Sequence, residues 1–366
     1  MKLPHFRCTR LLLSFLSASA SNAPILSPFR PWGLVTVQAL GAYRGKQDLF
    51  RKQTPETLEA LRKVARVESS ESSNRIEGIE APRLQLEKIV LHYAAPRNRS
   101  EQEIAGYRDA LALIHDSAPA MPLSPNLILQ LHQTVFRYLP GEGGKWKTTD
   151  NEIVDLHADG SRRVRFRTVA ALATPQAMAD LVGAWQHAHA TNAPDALVLV
   201  PLLVFDFLCI HPFRDGNGRV ARLLTLLALY QAGYEVGRYI SLERVMEESK
   251  ATYYEALEAS SQHWHEGARD PFPWLRYFWG TLLRAYKEFE ERLGQITPGR
   301  GSKTKQVREA ALRQIAPFAI SDLERHCPGV GRDMVRLVLR QLRDEGLLNS
   351  SGIGRAAKWQ RAPATK

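Results

Sequence analysis

Residues 211–222 read His-Pro-Phe-Arg-Asp-Gly-Asn-Gly-Arg-Val-Ala-Arg. These twelve positions collect the residue types that hold a polyphosphate and activate a hydroxyl beside it. Gly216 and Gly218 let the backbone turn freely and come close to a ligand, offering N–H groups as an anion nest. Arg219 and Arg222, three apart on a helix, are expected to share one face and add positive charge. Asp215 supplies a hard oxygen for Mg²⁺, which binds through one or two carboxylates plus substrate phosphates. His211 is placed to take a proton from an incoming hydroxyl. Singly, such residues cap and solvate an ordinary turn. Their combination in so short a stretch sets this one apart.

Two elements must position that loop. Before it runs an apolar stretch from Ala196 to Ile210, and after it another from Leu223 to Tyr230. Both are apolar on nearly every face and longer than a typical strand, which predicts two buried helices. The second starts at about Gly218, so its positive end points at the loop.

The stretch resembles the signature of the Fic family (filamentation induced by cAMP), His-Pro-Phe-x-Asp/Glu-Gly-Asn-Gly-Arg-x-x-Arg, and meets every specified position. Fic proteins are mostly AMP transferases, in which a Ser, Thr or Tyr hydroxyl of a protein attacks the α-phosphate of ATP and pyrophosphate leaves. The resemblance implies that His211 is the general base and that Asp215 is the Mg²⁺ ligand. It implies ATP contacts from Arg214, Asp215, Gly216, Asn217, Gly218, Arg219 and Arg222. Among these, Asn217 and the loop amides would hold the α-phosphate region, Arg219 the β-phosphate and Arg222 the γ-phosphate. Phe213 would anchor the loop in the core. The family's phosphotransferase branch has Lys before the first Arg; Gly218 stands there, which favours AMP transfer. The likeness covers roughly residues 54–295.

Upstream, Glu77-Gly78 reads locally as a helix end with a glycine stop. Beside the Fic-like loop, Ser73, Glu77 and Gly78 also resemble the family's inhibitory motif, Ser/Thr-x-x-x-Glu-Gly/Asn, in its amino-terminal position. Helical pattern begins near Thr54-Pro55-Glu56 and resumes over Leu84–Tyr93, Glu101–His115 and Pro125–Phe136. Strand-like segments around residues 151–154 and 164–169, separated by Asp159-Gly160-Ser161, predict a hairpin. The resemblance makes it a flap that pairs with the target segment, although its tip is longer and more basic than usual. His187 and His189, two apart on a helical stretch, cannot share a face and read as surface residues. A tyrosine pair follows the core in the family, which implies that Tyr253 lines the adenine pocket. Core packing of that pair is the alternative reading.

Hydrophobic content of 44% and charged content of 24% are those of an ordinary soluble globular protein. The three cysteines, Cys8, Cys209 and Cys327, show no disulfide framework or zinc spacing, which fits a reducing, cytoplasmic setting. No segment approaches the roughly 20 apolar residues of a membrane span. Residues 1–23 imitate a secretory signal, with Lys2, Arg7, Arg10, a short Leu11–Phe15 run and Ala18-Ser19-Ala20. Because its apolar core is interrupted by Ser14 and Ser17, we expect an unstructured or wrongly assigned leader. No trustworthy period runs from Pro24 to Arg51.

The net charge of +11 is concentrated at the ends, with 13 Lys/Arg against 6 Asp/Glu in residues 301–366. After a linker at 297–302, helical patterns at Val307–Ile315, Ser321–His326 and Asp333–Leu342 lead to a two-stranded wing over Leu347–Gln360, with Gly352 and Gly354 at its tip. Ser321 is expected to cap the second helix, and residues 328–331 to turn into the third. Arg332, Arg336, Arg340 and Arg343 line the third helix opposite an apolar face, as phosphate contact requires. This part resembles a winged helix-turn-helix module, for which DNA contact and homodimerisation are the alternatives.

The expected fold is therefore mostly α: a Fic helical core with a β-hairpin flap, plus a small winged-helix domain. The expected boundaries are a leader at 1–50, an amino-terminal helical region with the inhibitory helix at 51–120, a catalytic core at 121–295 and the carboxy-terminal module at 303–362. The expected activity is Mg²⁺-dependent AMP transfer from ATP to a protein hydroxyl, the chain's own included, autoinhibited by Glu77. The alternatives are removal of AMP from a modified protein, with Glu77 positioning water, and an ATP-sensing DNA-binding regulator.

Overall fold

The computed structural model describes residues 31–53, 55–139, 141, 143–156, 160–191, 195–294, 302–314, 317–327, 330–352 and 357–362. The expected leader over 1–23, most of the 297–302 linker, the 328–329 turn and the wing tip at Gly354 lie outside them. Contacts gather the described residues into two units: Lys63–Tyr286 with the segment ending at Gln47, and Asp48–Arg62 with the segment beginning at Lys287.

The first unit is mostly helical. Along the chain come α1 (Pro31–Gln53), α2 (Pro55–Ile76), α3 (Arg83–His92), α4 (Arg99–Ser117) and α5 (Pro125–Val135). A hairpin follows, β1 (Glu152–Leu156) with β2 (Arg162–Arg167), antiparallel and with a register shift between Ile153 and Val154. Then come α6 (Thr174–Thr191), α7 (Ala196–Ile210), α8 (Asn217–Gln231), α9 (Leu242–Glu248), α10 (Lys250–Ser261) and α11 (Phe272–Gly294). Helix α1 ends, α2 begins and α11 ends in the second unit. Among the described residues no helix is long and apolar enough to cross a membrane.

Helices α7 and α8 form the buried centre, as their unbroken apolar sequences require. Burying α7 raises a difficulty at Pro201, which has no N–H for the carbonyl of Leu197. The indole of Trp279 on α11 supplies the missing donor, 2.7 Å from Leu197 O, and Trp274 donates to Pro201 O at 2.7 Å. The one carboxylate of α7, Asp206, is buried and accepts from both Nη atoms of Arg269 and from Trp264 Nε1. Side-chain caps open the helices cleanly: Asn98 for α4, Ser124 for α5 and Asp195 for α7.

Helix α1 was not expected, since residues 24–51 show no apolar period. Its inward face is mixed, with Thr36, Leu40 and Gln47 buried and Tyr43 stacked on Tyr286. Gln47 donates to Gly233 O at 2.8 Å and accepts from Glu235 N at 2.8 Å and from Tyr286 OH at 2.6 Å. A helix tied down by an amide leaves little hydropathy signal. His187 and His189 are exposed, the latter stacked on Trp185.

The second unit contains α12 (Ser302–Arg313), β3 (Phe318–Ala319), α13 (Ile320–His326), α14 (Arg332–Asp344), β4 (Leu348–Ser351) and β5 (Lys358–Arg361), with sheet order β3-β5-β4. Ser302, expected in the linker, already opens α12. Its core gathers Val307, Phe318, Leu323, Val335, Val338, Leu339, Leu342 and Trp359. Helix α13 is not capped by Ser321, which lies inside it; Asp322 instead accepts from Ala319 N at 2.8 Å. The arginines 332, 336, 340 and 343 of α14 are all exposed.

Candidate active site

Helix α7 ends at His211, whose backbone is left-handed (φ 53°). The turn brings the imidazole back over its own helix, where Nδ1 lies 3.2 Å from Leu208 O. A carbonyl only accepts, so Nδ1 carries the proton and Nε2 is left as a base. Burial pushes the imidazole pKa down to about 4; the Leu208 bond opposes this, the nearby Lys147 adds to it, and Glu77 and Asp215 oppose it. His211 is therefore neutral at pH 7.

The loop after it is held from inside. Phe213 is fully buried and stacks on His132, with ring centroids 3.7 Å apart. Asn217 closes the turn, accepting from Phe213 N at 2.9 Å and donating to Phe213 O at 2.8 Å. Gly216 caps α8 at φ 79°, where an added Cβ would also stand 2.6 Å from the Phe136 ring. No other residue type suits that position. Asp215 Oδ1 accepts from Gly216 N at 2.6 Å, and its carboxylate remains 62% exposed.

The two arginines of α8 part company. Arg222 reaches α2, donating from Nε to Ser73 Oγ at 2.8 Å, and from Nη2 to Ser73 O at 2.8 Å and Glu77 Oε1 at 2.7 Å. It is 3% exposed and Glu77 31%. Arg219 turns to α4 and pairs with Glu103 Oε2 at 2.5 Å, 1% exposed. Three apart on one helix they share a side of its first turns, but their guanidinium groups meet different partners.

Glu77 is both a helix end and a site residue. Ile79 N donates to Asn74 O and Gly78 N to Arg75 O, each at 3.0 Å, with Gly78 at φ 79°. That is a Schellman stop. It leaves the Glu77 carboxylate at the negative end of α2, a position that the helix dipole disfavours and that Arg222 offsets.

A cavity of about 530 Å³ collects these parts. Its lining includes Glu77, His211, Gly218 and Arg222, the tyrosines Tyr253 and Tyr254 of α10, and Ile153, Val154, Arg165 and Phe166 of the hairpin. The register shift sets Arg165 and Phe166 side by side on this wall, as a bulge does. Of the sequence-predicted site, Arg214 and Asp215 are exposed and outside the lining, as is the buried Gly216. Asn217 and Arg219 are also outside it, their side chains engaged with Phe213 and Glu103. In this arrangement both side chains brace the loop. Tyr253 does line the cavity, and burial pushes its phenol pKa up.

Residues 122–229 match the Fic/DOC family model. The chain carries a Fic domain. Over 183 residues it is 27% identical to the protein adenylyltransferase fic-1 of Caenorhabditis briggsae, a match covering 49% of this chain and 32% of that protein. The fold is similar to a Fic domain-containing signalling protein from Bacteroides thetaiotaomicron, with TM-score 0.56 and 22% identity over 69% of this chain and 94% of the other. A Fic family protein from Desulfovibrio desulfuricans matches with TM-score 0.56 and 19% identity over 90% of this chain and 97% of the other.

Sequence reasoning missed several residues around the Fic loop. His132 accepts from Gly144 N at Nδ1 (2.9 Å) and donates from Nε2 to Asp215 O (3.1 Å), so it is neutral; burial pushes its pKa down to about 4. Glu103, Lys147, Asn151 and Thr168 are the others. None belongs to a local motif. Among the described residues no cluster of three or more His, Cys, Asp or Glu could hold a metal unaided. The exposed Asp215 carboxylate beside the amino end of α8 fits the other Mg²⁺ mode, one carboxylate joined by phosphate oxygens.

Proposed function

We propose that this chain is a protein adenylyltransferase, moving AMP from ATP to a Ser, Thr or Tyr hydroxyl of a protein, itself included, and that Glu77 restrains it. One observation carries the reading: a neutral His211 with an accepting Nε2, the amino end of α8 and the Arg222 guanidinium meet in one cavity. In this reaction His211 Nε2 takes the hydroxyl proton as the oxygen attacks the α-phosphorus. The bond to the bridging oxygen of the β-phosphate breaks, and pyrophosphate leaves. The loop amides and Arg222 hold phosphate oxygens, and Tyr253 walls the base. Asp215 would hold Mg²⁺, which neutralises phosphate charge when bound.

Restraint follows from position. Glu77 Oε1 sits 2.2 Å from where a Cβ on Gly218 would stand, so the carboxylate is packed on the face of α8 that a phosphate would approach. The γ-phosphate and Glu77 then compete for one guanidinium, the tethered carboxylate having the advantage of high effective concentration.

Incubation with ATP, Mg²⁺ and candidate acceptor proteins, followed by peptide mass spectrometry, tests the assignment. AMP esterified to a hydroxyl supports it. Removal of AMP from a pre-modified acceptor, without addition, would replace it with hydrolytic removal of AMP, in which Glu77 orients water. For the second unit we infer a winged helix-turn-helix module, supported by its three helices, the β4–β5 hairpin and the exposed arginines of α14.

A further inference from the structure

Three carbonyls of the catalytic turn, those of Ile210, Pro212 and Phe213, are held by residues at the foot of the hairpin. Lys147 Nζ donates to Ile210 O at 3.2 Å, Lys147 N to Pro212 O at 2.8 Å and Asn151 Nδ2 to Phe213 O at 3.0 Å. The ammonium has three protons and three acceptors, the other two being Asn151 Oδ1 and Thr168 Oγ1, each at 2.8 Å. Thr168 Oγ1 in turn donates to Asn151. Lys147 and Asn151 precede β1 and Thr168 follows β2, so both feet of the hairpin join one network. Lys147 is 5% exposed, a burial rare for lysine without such partners.

We propose that Lys147, Asn151 and Thr168 are positioning residues for the transfer reaction, fixing His211 in its left-handed turn so that Nε2 faces the cavity. This rests on the adenylyltransferase reading. A left-handed backbone at a non-glycine residue persists only where its surroundings over-determine it, and here the Ile210–His211 peptide before it and the Pro212–Phe213 peptide beyond the proline are both tied down. Burial does most to keep the imidazole neutral, and the Lys147 charge adds to it, against the Leu208 bond and the charges of Glu77 and Asp215.

The test uses the full chain in a Glu77→Gly background, where restraint is removed. Thr168→Val keeps the shape and deletes the hydroxyl; Thr168→Ser restores it. Thr168→Val and Lys147→Met are expected to lower kcat at least tenfold with KM for ATP within threefold, and Thr168→Ser to recover within threefold of the background. A second readout needs no activity: ¹³C NMR titration of His211, assigned by His211→Ala. Its pKa should rise by at least half a unit in Lys147→Met. If Lys147→Met does not fold, the Thr168 pair decides. Unchanged kcat in Thr168→Val, or an unshifted His211 titration in folded Lys147→Met, would overturn the proposal. No AMP transfer by the background together with a shifted titration would remove the reaction and leave the positioning intact.

Discussion

Replacing Glu77 with glycine should turn the chain on. The carboxylate makes one direct contact with Arg222, at 2.7 Å through Nη2, while Nε and the same Nη2 stay bonded to Ser73. It is therefore a single charge-assisted hydrogen bond, not a two-point fork. Such a bond contributes about 1.5–3 kcal/mol, or roughly 10–150-fold in the population of competent molecules. Glu77→Gly should raise AMP transfer, self-modification included, within that range. Little stability should be lost, because the substitution falls at a helix end already stopped by Gly78 and Ser73 still holds the guanidinium. Arg222→Ala should be inactive with or without Glu77. Initial rates with labelled ATP, alongside thermal unfolding, measure both effects. A Glu77→Gly protein no faster than the original would reduce Glu77 to a helix terminus.

His211→Ala should lower transfer about 10²–10⁴-fold with ATP affinity, by calorimetry, within threefold. Because the imidazole pKa is pushed down to about 4, the acid limb of kcat/KM should fall near pH 4 and not near 6.5. Deprotonated His211 is the active form, so activity is lost as pH drops through that value. Glu103→Ala should leave the buried Arg219 charge with the Phe136 ring and an exposed Asp215 carboxylate at 3.4 Å, destabilising the first unit by about 3–5 kcal/mol. Thermal unfolding reads this as a lowered midpoint; an unchanged midpoint would show that Arg219 finds another partner. If α14 meets DNA phosphates, Arg336→Ala with Arg340→Ala should flatten the salt dependence of binding by roughly two units of slope. Absence of binding by the intact chain at low salt would refute that role.

Much of this arrangement was legible in the residues because the signals were local. Helices α7 and α8 were plain from unbroken apolar runs, and the hairpin from two strand-like segments around a polar tip. The turn at His211–Arg222 was legible because the glycines and charges that build it are contiguous. What stayed hidden depends on distance or on polar packing. Glu103 is one acid among many until the chain brings it to Arg219, 116 residues away. Lys147, Asn151 and Thr168 are unremarkable polar residues whose partners lie across the fold. Helix α1 escaped notice because Gln47 helps to secure it, and Ser321 was mistaken for a cap because Asp322 performs that service from inside the helix. For Asn217 and Arg219, spacing put both residues beside the loop but did not reveal that Phe213 and Glu103 engage their side chains.

The central claim is AMP transfer, and the position of the label in ATP tests it most directly. The Glu77→Gly chain, incubated with Mg²⁺ and ATP labelled either at the α- or at the γ-phosphate, should incorporate radioactivity into protein from the α label alone. Incorporation from the γ label, or tight ATP binding with transfer from neither, would contradict it.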